Sequence, residues 1–297
     1  MFHNVVLILR ADENSKMVLD ASAASTDVGD EILFEDATSD GSISANNVAP
    51  TLLDVVGSLS NTVTIPIQSP SGLIFNKNIN AVVNMNNYFQ WWIWKIGANW
   101  KHPEGPDSTI KDKDNFPVVH IALEDALAYC KWSNRRLPTE AEWEAAAQGT
   151  NNRAIFTWGD NPTILNSNAN TWQGVFPTKN ESIDGFKLIA PVKSYPANSI
   201  GIYDMAGNVW ELTADLFNVN HYKELDISKA IMNPKGANKS YSPANPNQIE
   251  HVMKGGSFLC HESYCASFRI SAKMGVSLDS GSDHVGFRTV FSPNNQN

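Results

Sequence analysis

All nine tryptophans of this 297-residue chain lie between Trp91 and Trp210, and from Gly149 onward Gly, Pro and Asn recur every few residues. Large aromatic side chains demand a packed interior, whereas frequent turn residues forbid long helices and strands. The interior must then be assembled from short strands and long ordered loops, an α+β arrangement with little regular secondary structure. Such backbone leaves donors and acceptors that side chains or bound ions have to satisfy. Before Tyr88 the aromatics are only Phe2, Phe34 and Phe75, which places a boundary there. Residues 1–88 form a leading segment rich in Ser, Asn, Asp and Val, residues 89–291 the principal domain, and residues 292–297 a polar tail expected to fray.

A chain of this length buries roughly 75% of its unfolded surface without disulfide support. Its 42% hydrophobic and 18% charged residues are those of a folded protein. The net charge of −9 argues against nonspecific binding to nucleic acid. The apolar run at residues 5–9 is far shorter than the ~18 residues of a membrane span, so no membrane partner is expected. Nor does it read as a secretory leader, because Arg10 and Asp12 interrupt it and no cleavage site follows. Three cysteines are too few for a disulfide framework. These features point to the cytoplasm, with the secretory pathway and endoplasmic-reticulum lumen as the alternative if the start is misassigned; a monomer is the expected state.

Strands are expected at residues 5–9, 31–34 and 63–67 in the leading segment, and at 190–192 and 285–290 later. Leu123, Ala126, Leu127 and Cys130 fall at i, i+3, i+4 and i+7, which predicts a helix over about 124–132 with Cys130 pointing inward. Thr139 and Glu142 have capping-box spacing after Pro138, which predicts a second helix through Trp143 and the alanines at 145–147.

The densest chemical cluster is GGSFLCHESYC, from Gly255 to Cys265. Two thiols five positions apart can reach one soft metal, close as a disulfide, or remain as core thiols; spacing alone does not choose among these. His261 is the nearest third ligand, although a hydrogen-bonded structural histidine is the plainer reading. Tyr264 reads as a packed aromatic or as a group that orients a substrate peptide. In an extended segment neighbouring side chains alternate, so one of the two would face a cleft.

Six segments carry a resemblance: GANWKHPEGPDSTI from Gly97, RLPTEAEWEAAA from Arg136, NTWQGVFP from Asn170, DGF at Asp184, GIYDMAGNVWELT from Gly201 and GGSFLCHESYC. In this order, over roughly residues 89–291, the chain resembles the formylglycine-generating enzyme, or sulfatase-modifying factor, family. The resemblance implies a duplicated, C-type-lectin-like fold. It implies a copper-dependent oxidase that converts the cysteine of a Cys-x-Pro/Ala-x-Arg motif in an unfolded sulfatase to Cα-formylglycine with molecular oxygen. Cys260 and Cys265 would hold Cu(I), with the substrate thiol as a third sulfur ligand. Ser257 and Trp210 would line the oxygen pocket, the serine as a hydrogen-bond donor and the tryptophan as a barrier to water. One structural Ca²⁺ would take the side chains of Asn170 and Asp184 and the carbonyls of Thr171 and Phe186. A second would take Asp204, the carbonyls of Gly207 and Val209, and Glu211; Asp204 stands where many members have Asn, which adds a negative charge. Read without the resemblance, such Asp and Asn residues are more often turn caps.

The chain also departs from the family. Residues 1–88 lack the usual opening of strand, Asp-x-x-Glu-Val-Thr-Asn segment and helix, of which GDEILFED from Gly29 is a faint echo. Ile270 and Thr289 stand where secretory members can carry disulfide cysteines, which leaves Cys130 as a free buried thiol. Trp91, Trp92, Trp94 and Trp100 are expected in the core or a cleft wall, not as a sugar platform, and the sequons at Asn180 and Asn238 carry no weight. Two rivals remain: a noncatalytic sulfatase- or peptide-binding module on the same fold, and a thiol–disulfide exchange protein, which the missing Cys-x-x-Cys motif disfavours.

Overall fold

The computed structural model describes residues 71–292 apart from 152, 227 and 280, together with three short strands nearer the start. Those strands, β1 (Leu9–Ala11), β2 (Met17–Leu19) and β3 (Val63–Ile65), form an antiparallel sheet in the order β1-β2-β3. They belong to a first compact unit, residues 1–70. β3 falls inside the strand expected at 63–67. The strand expected at 5–9 meets β1 only at Leu9; its remaining residues, the strand expected at 31–34 and tail residues 293–297 lie outside the described residues.

The second unit starts at Ser71. Its first strand, β4 (Ser71–Phe75), pairs antiparallel with β5 (Trp92–Ile96), so a segment ahead of the aromatic boundary is stitched to the tryptophan-rich one behind it. Phe75 and Trp91 pack with Trp172, Phe176, Phe258 and Leu259 in one buried cluster. The four clustered tryptophans part company here: Trp91 is buried, whereas Trp94 and Trp100 are largely exposed.

Two helices carry the expected signals. In α1 (Leu123–Trp132) the buried stripe is Leu123, Ala126 and Cys130; Leu127, at the edge of this stripe, is 48% exposed. Helix α2 (Glu140–Gln148) opens with a reciprocal cap. Thr139 Oγ1 accepts from the Glu142 N–H at 3.2 Å, and Glu142 Oε2 accepts from the Thr139 N–H at 2.9 Å. A small hairpin of β6 (Gly174–Val175) and β7 (Lys179–Asn180) follows.

The main sheet comprises β8 (Trp210–Leu216), β9 (Glu250–Lys254), β10 (Met274–Ser277) and β11 (Val285–Phe287) in the order β10-β9-β8-β11. All pairings are antiparallel except β8 with β11. Alternate residues of a strand face opposite ways, and β8 is covered on both sides. Trp210 and Leu212 join the core that contains Leu123, Ala126 and Cys130 of α1, while Glu211 reaches Trp143 of α2. Helix α2 is fastened from below by Lys254, fully buried with Nζ 2.6 Å from Glu144 and 3.7 Å from Glu140. Ile270, at the position open to a disulfide cysteine, instead packs with Trp143, Ala147 and Met205.

Two strand expectations are corrected. Residues 190–192 form no strand, because a side chain takes the place of a neighbouring strand: Asn208 Oδ1 accepts from the Ala190 N–H at 2.9 Å and Asn208 Nδ2 donates to the Ala190 carbonyl at 3.1 Å. The last strand stops at Phe287, and Val290 instead makes an isolated pair of main-chain bonds with Arg136. Arg136 Nε also donates to Ser292 Oγ at 2.9 Å, so the tail is tied down at its first residue. Among the described residues, no helix is long and apolar enough to cross a membrane.

Candidate active site

β9 delivers the chain to Gly255 and Gly256, both with positive φ (89° and 72°). At Gly256 the reason is local: a Cβ there would stand 3.2 Å from Cys260 Sγ and 3.0 Å from the Phe268 main-chain nitrogen. Two successive turns follow, with the Cys260 N–H donating to the Ser257 carbonyl (2.9 Å) and the Cys265 N–H to the His261 carbonyl (2.7 Å). The second turn folds Cys265 back onto Cys260. Their Cα atoms lie 4.7 Å apart and their sulfurs are bonded as a disulfide.

This turn replaces the extended geometry considered from the sequence, so His261 and Tyr264 do not alternate across a strand. His261 Nδ1 is engaged by Ser263 Oγ at 2.8 Å, a local hydrogen bond within the turn. Tyr264 stacks on Phe176 with ring centroids 4.3 Å apart and meets Trp91 edge-on at 5.5 Å. Cys130, the third thiol, is free and buried on α1, where desolvation raises its pKa.

Cys260 is buried in the same cluster as Trp210, Met253 and Phe268. Ser257 is fully buried; its N–H approaches Cys260 Sγ at 3.4 Å, and its Oγ lies 3.2 Å from His284 Nδ1. The structure thus brings Cys260, Cys265, Ser257 and Trp210 to one place. It adds His284, Asp283 and His120, which the sequence reading missed. The signal for the first two is the run Ser282-Asp283-His284 just ahead of β11, whereas His120 carries no motif of its own. His284 abuts Trp92, with ring centroids 4.8 Å apart. Burial, aided by the nearby His120, pushes its pKa down to about 3, so the imidazole is neutral. His120 donates from Nε2 to the Pro103 carbonyl at 2.7 Å, and a Cβ at Gly72 would strike its Nδ1.

Asp283 ties this corner to β4, because its Oδ2 accepts from the Phe75 N–H at 2.8 Å while Oδ1 is buried without a partner. Burial pushes its carboxyl up to about 7. A raised acid holds its proton in the folded chain after the unfolded chain has lost it, so stability falls as pH rises from about 4 to about 7. Asp283→Asn keeps the acceptor for Phe75 and removes that slope. We expect the variant to gain about 4 kcal/mol over wild type at about pH 8 and little at about pH 4, read by urea unfolding at both values. An equal difference at the two values contradicts the assignment.

The oxygen-donor sets sit on neighbouring loops. The Asn208 N–H donates to the Asn170 carbonyl (2.9 Å), the Phe258 N–H to the Asn208 carbonyl (2.9 Å), and the Trp172 N–H to the Cys260 carbonyl (3.0 Å). These bonds bind both loops to the thiol turn. Gly207 has φ 70°, and a Cβ there would fall on the Asn170 carbonyl, so only glycine allows the approach.

In the first set, Asn170 Oδ1 is buried with no hydrogen-bond partner, and Asp184 retains lone pairs beyond the bonds it accepts from the Thr171, Phe186 and Gln173 N–H groups. An unsatisfied buried amide oxygen and a carboxylate with spare lone pairs are donors of the kind a hard cation takes, so the chemistry of this set fits Ca²⁺, although the Thr171 carbonyl already accepts from Gln173 Nε2. The second set fits less well. Asp204 and Glu211 line a cavity of about 440 Å³, but both Glu211 oxygens are clasped by Arg288, and Oε2 also accepts from Trp143 Nε1 at 2.6 Å. A divalent ion there has to share Glu211 with a guanidinium. Asp204, at φ 58°, accepts from the Lys193 N–H at 2.7 Å, and burial raises its pKa. Among the described residues no three His, Cys, Asp or Glu side chains converge as a metal site.

At the centre of this loop-rich α+β scaffold, a turn joins two cysteines beside a buried serine and tryptophan. Residues 71–293 match the family described as Sulfatase-modifying factor enzyme 1-like domain, and the chain belongs to that family. The match begins at the first residue of β4. The chain is 43% identical over 199 residues to the formylglycine-generating enzyme of Bos taurus, covering 67% of this chain and 50% of that one. It is 42% identical over 225 residues to the formylglycine-generating enzyme of Mycobacterium tuberculosis (75% and 73%). It is also 37% identical over 201 residues to the inactive C-alpha-formylglycine-generating enzyme 2 of Bos taurus (67% and 58%). The chain spans about half the length of the first of these relatives.

Proposed function

We propose that this chain oxidises the cysteine of a Cys-x-Pro/Ala-x-Arg segment in an unfolded sulfatase to Cα-formylglycine with O₂, using Cu(I) held by the reduced Cys260 and Cys265. The observation that carries the reading is the turn that brings both sulfurs together beside Ser257 and Trp210. Two soft sulfurs without a converging set of hard donors suit a soft monovalent metal and leave room for a third sulfur. Bound copper supplies a Lewis-acidic, redox-active centre at which substrate sulfur and oxygen meet.

The chain's own groups have definite tasks in this reading. Cys260, almost fully buried, keeps one side of the centre dry, and Trp210 beside it excludes water. Ser257 offers a hydroxyl hydrogen to the oxygen that gains negative charge. Tyr264, exposed and backed by the buried Phe176 and Trp91, offers the aromatic face against which an unfolded peptide rests. The substrate CH₂SH group loses one hydrogen from carbon and one from sulfur, with two electrons, to O₂, which leaves as hydrogen peroxide; water then adds to the resulting C=S group and releases hydrogen sulfide to leave the aldehyde. The finer form of the fold in this reading is the duplicated C-type-lectin-like arrangement.

The test is a peptide containing Cys-Thr-Pro-Ser-Arg, incubated in air with reduced, copper-loaded protein. Its mass is expected to drop by the difference between CH₂SH and CHO, and an unchanged peptide at every copper loading overturns the reading. The likeness to a relative named inactive favours a second reading, a module that binds such peptides without chemistry; binding without oxygen uptake supports it.

The Asn170, Thr171, Asp184 and Phe186 set is proposed to hold structural Ca²⁺. At calcium a hundredfold above Kd the stabilisation is about 2.7 kcal/mol, so chelation is expected to lower Tm by roughly 5–10 °C. Asn170→Ala should remove this sensitivity. A melting curve indifferent to both chelator and added calcium contradicts the site.

A further inference from the structure

The Ser257 hydroxyl can turn about its Cβ–Oγ bond, since a hydroxyl rotates freely unless its neighbours fix it. One lone pair already receives the Leu259 N–H at 3.3 Å. The other faces His284 Nδ1 at 3.2 Å. Whether that contact sends a hydrogen towards the serine or takes one from it decides where the serine hydrogen points. The same histidine accepts the Trp210 N–H on its main-chain carbonyl at 2.8 Å, and the following residue, Val285, opens the parallel pairing of β11 with β8 opposite Trp210.

We propose that His284 is the positioning residue of this site: its Nδ1–H donates to Ser257 Oγ, which fills both serine lone pairs and turns the hydroxyl hydrogen towards the thiols, while its carbonyl anchors Trp210. The inference rests on the reading of the thiol pair as the reactive centre, and it assigns a task to a side chain outside that pair. A neutral imidazole carries a single N–H, and its placement on Nδ1 gives that hydrogen the acceptor available in the structure. Trp92 holds the ring in place from the other side. Asp283, bonded through Oδ2 to the Phe75 N–H and through its own N–H to the Leu73 carbonyl at 3.0 Å, anchors the backbone from which the imidazole projects.

The proposal separates variants by donor capacity and not by size. Asn places an amide nitrogen where Nδ1 stands and retains donation; Asp presents only acceptors; Phe fills the space with neither. In the peptide assay, His284→Asn is expected to keep kcat within about threefold of wild type, whereas His284→Asp and His284→Phe lower kcat by about 10–100-fold with KM within about twofold. In a Ser257→Ala background His284→Phe should add nothing, because the group it positions is gone. Losses that simply multiply, or a His284→Asn variant as impaired as His284→Phe, overturn the proposal.

A second readout is independent of turnover and of copper. Nitrogen-15 spectra of the reduced, metal-free protein, with the signal assigned by its disappearance in His284→Asn, should find the His284 proton on Nδ1 and the Nδ1 resonance displaced in Ser257→Ala. A proton on Nε2 overturns the proposal. If wild-type protein makes no formylglycine, the reading of the site fails, while the spectra still decide the arrangement of His284 and Ser257.

Discussion

Serine in place of Cys260 or Cys265 is expected to abolish conversion of a peptidyl cysteine to formylglycine, with kcat/KM falling at least about a thousand-fold, roughly 4 kcal/mol of lost transition-state stabilisation. The size follows from the donor chemistry. A serine hydroxyl stays protonated at neutral pH and is a hard, poor ligand for the soft metal that paired thiolates favour. The remaining cysteine offers a single sulfur, and Cys130 cannot replace the lost one because it is buried on α1 with its thiol pKa raised. Stability should be compared with reduced wild type, so that the contribution of the Cys260–Cys265 bond cancels. Against that reference a buried hydroxyl at 260 costs only about 1 kcal/mol, and the variant remains folded. A folded variant retaining more than about a tenth of wild-type kcat/KM contradicts the role assigned to the pair.

Arg288→Met carries the largest expected loss of stability, about 3–5 kcal/mol or on the order of 10 °C in Tm. Glu211 lies in the interior of β8 with both oxygens on the Arg288 guanidinium and one on Trp143 Nε1. Removing the guanidinium leaves a buried carboxylate with a single neutral donor. Arg288→Lys should recover only part of the loss, since an ammonium cannot match both oxygens in the same plane. The double variant with Glu211→Gln should recover more, because it removes the stranded charge itself. The measurement is chemical denaturation of the three variants, with and without calcium. If Asp204 and Glu211 also hold a divalent ion, calcium should soften the Arg288→Met loss. A change below about 1 kcal/mol without calcium contradicts the assigned ion pair.

Local signals in the sequence were strong where one element settles its own geometry. The apolar stripe of α1 and the Thr139–Glu142 cap of α2 depend on contacts within a turn or two, and both helices formed within a residue of their expected starts. The loop-rich character followed in the same way from turn residues. Signals failed where a distant side chain replaced a regular partner. Ala190 looked like the start of a strand, but Asn208, far along the chain, satisfies both its main-chain groups.

The site was half legible for the same reason. The two thiols, Ser257 and Trp210 fall within recognisable runs, yet the meeting of the sulfurs depends on a turn at His261 that alternation does not reveal. His284 and Asp283 reach the site only through pairing of the following strand with Trp210 and of Leu73 with the loop before it, contacts of long range. Nor did the sequence reveal that Arg288 occupies the carboxylate of the second oxygen-donor set.

Copper-edge X-ray absorption of the reduced protein, loaded with one equivalent of Cu(I), tests the central claim most directly. The account predicts a first shell of sulfur alone in wild type, and loss of that shell with loss of tight binding in Cys260→Ser and Cys265→Ser. A first shell of nitrogen and oxygen in wild type, or copper held equally well by the serine variants, would contradict it.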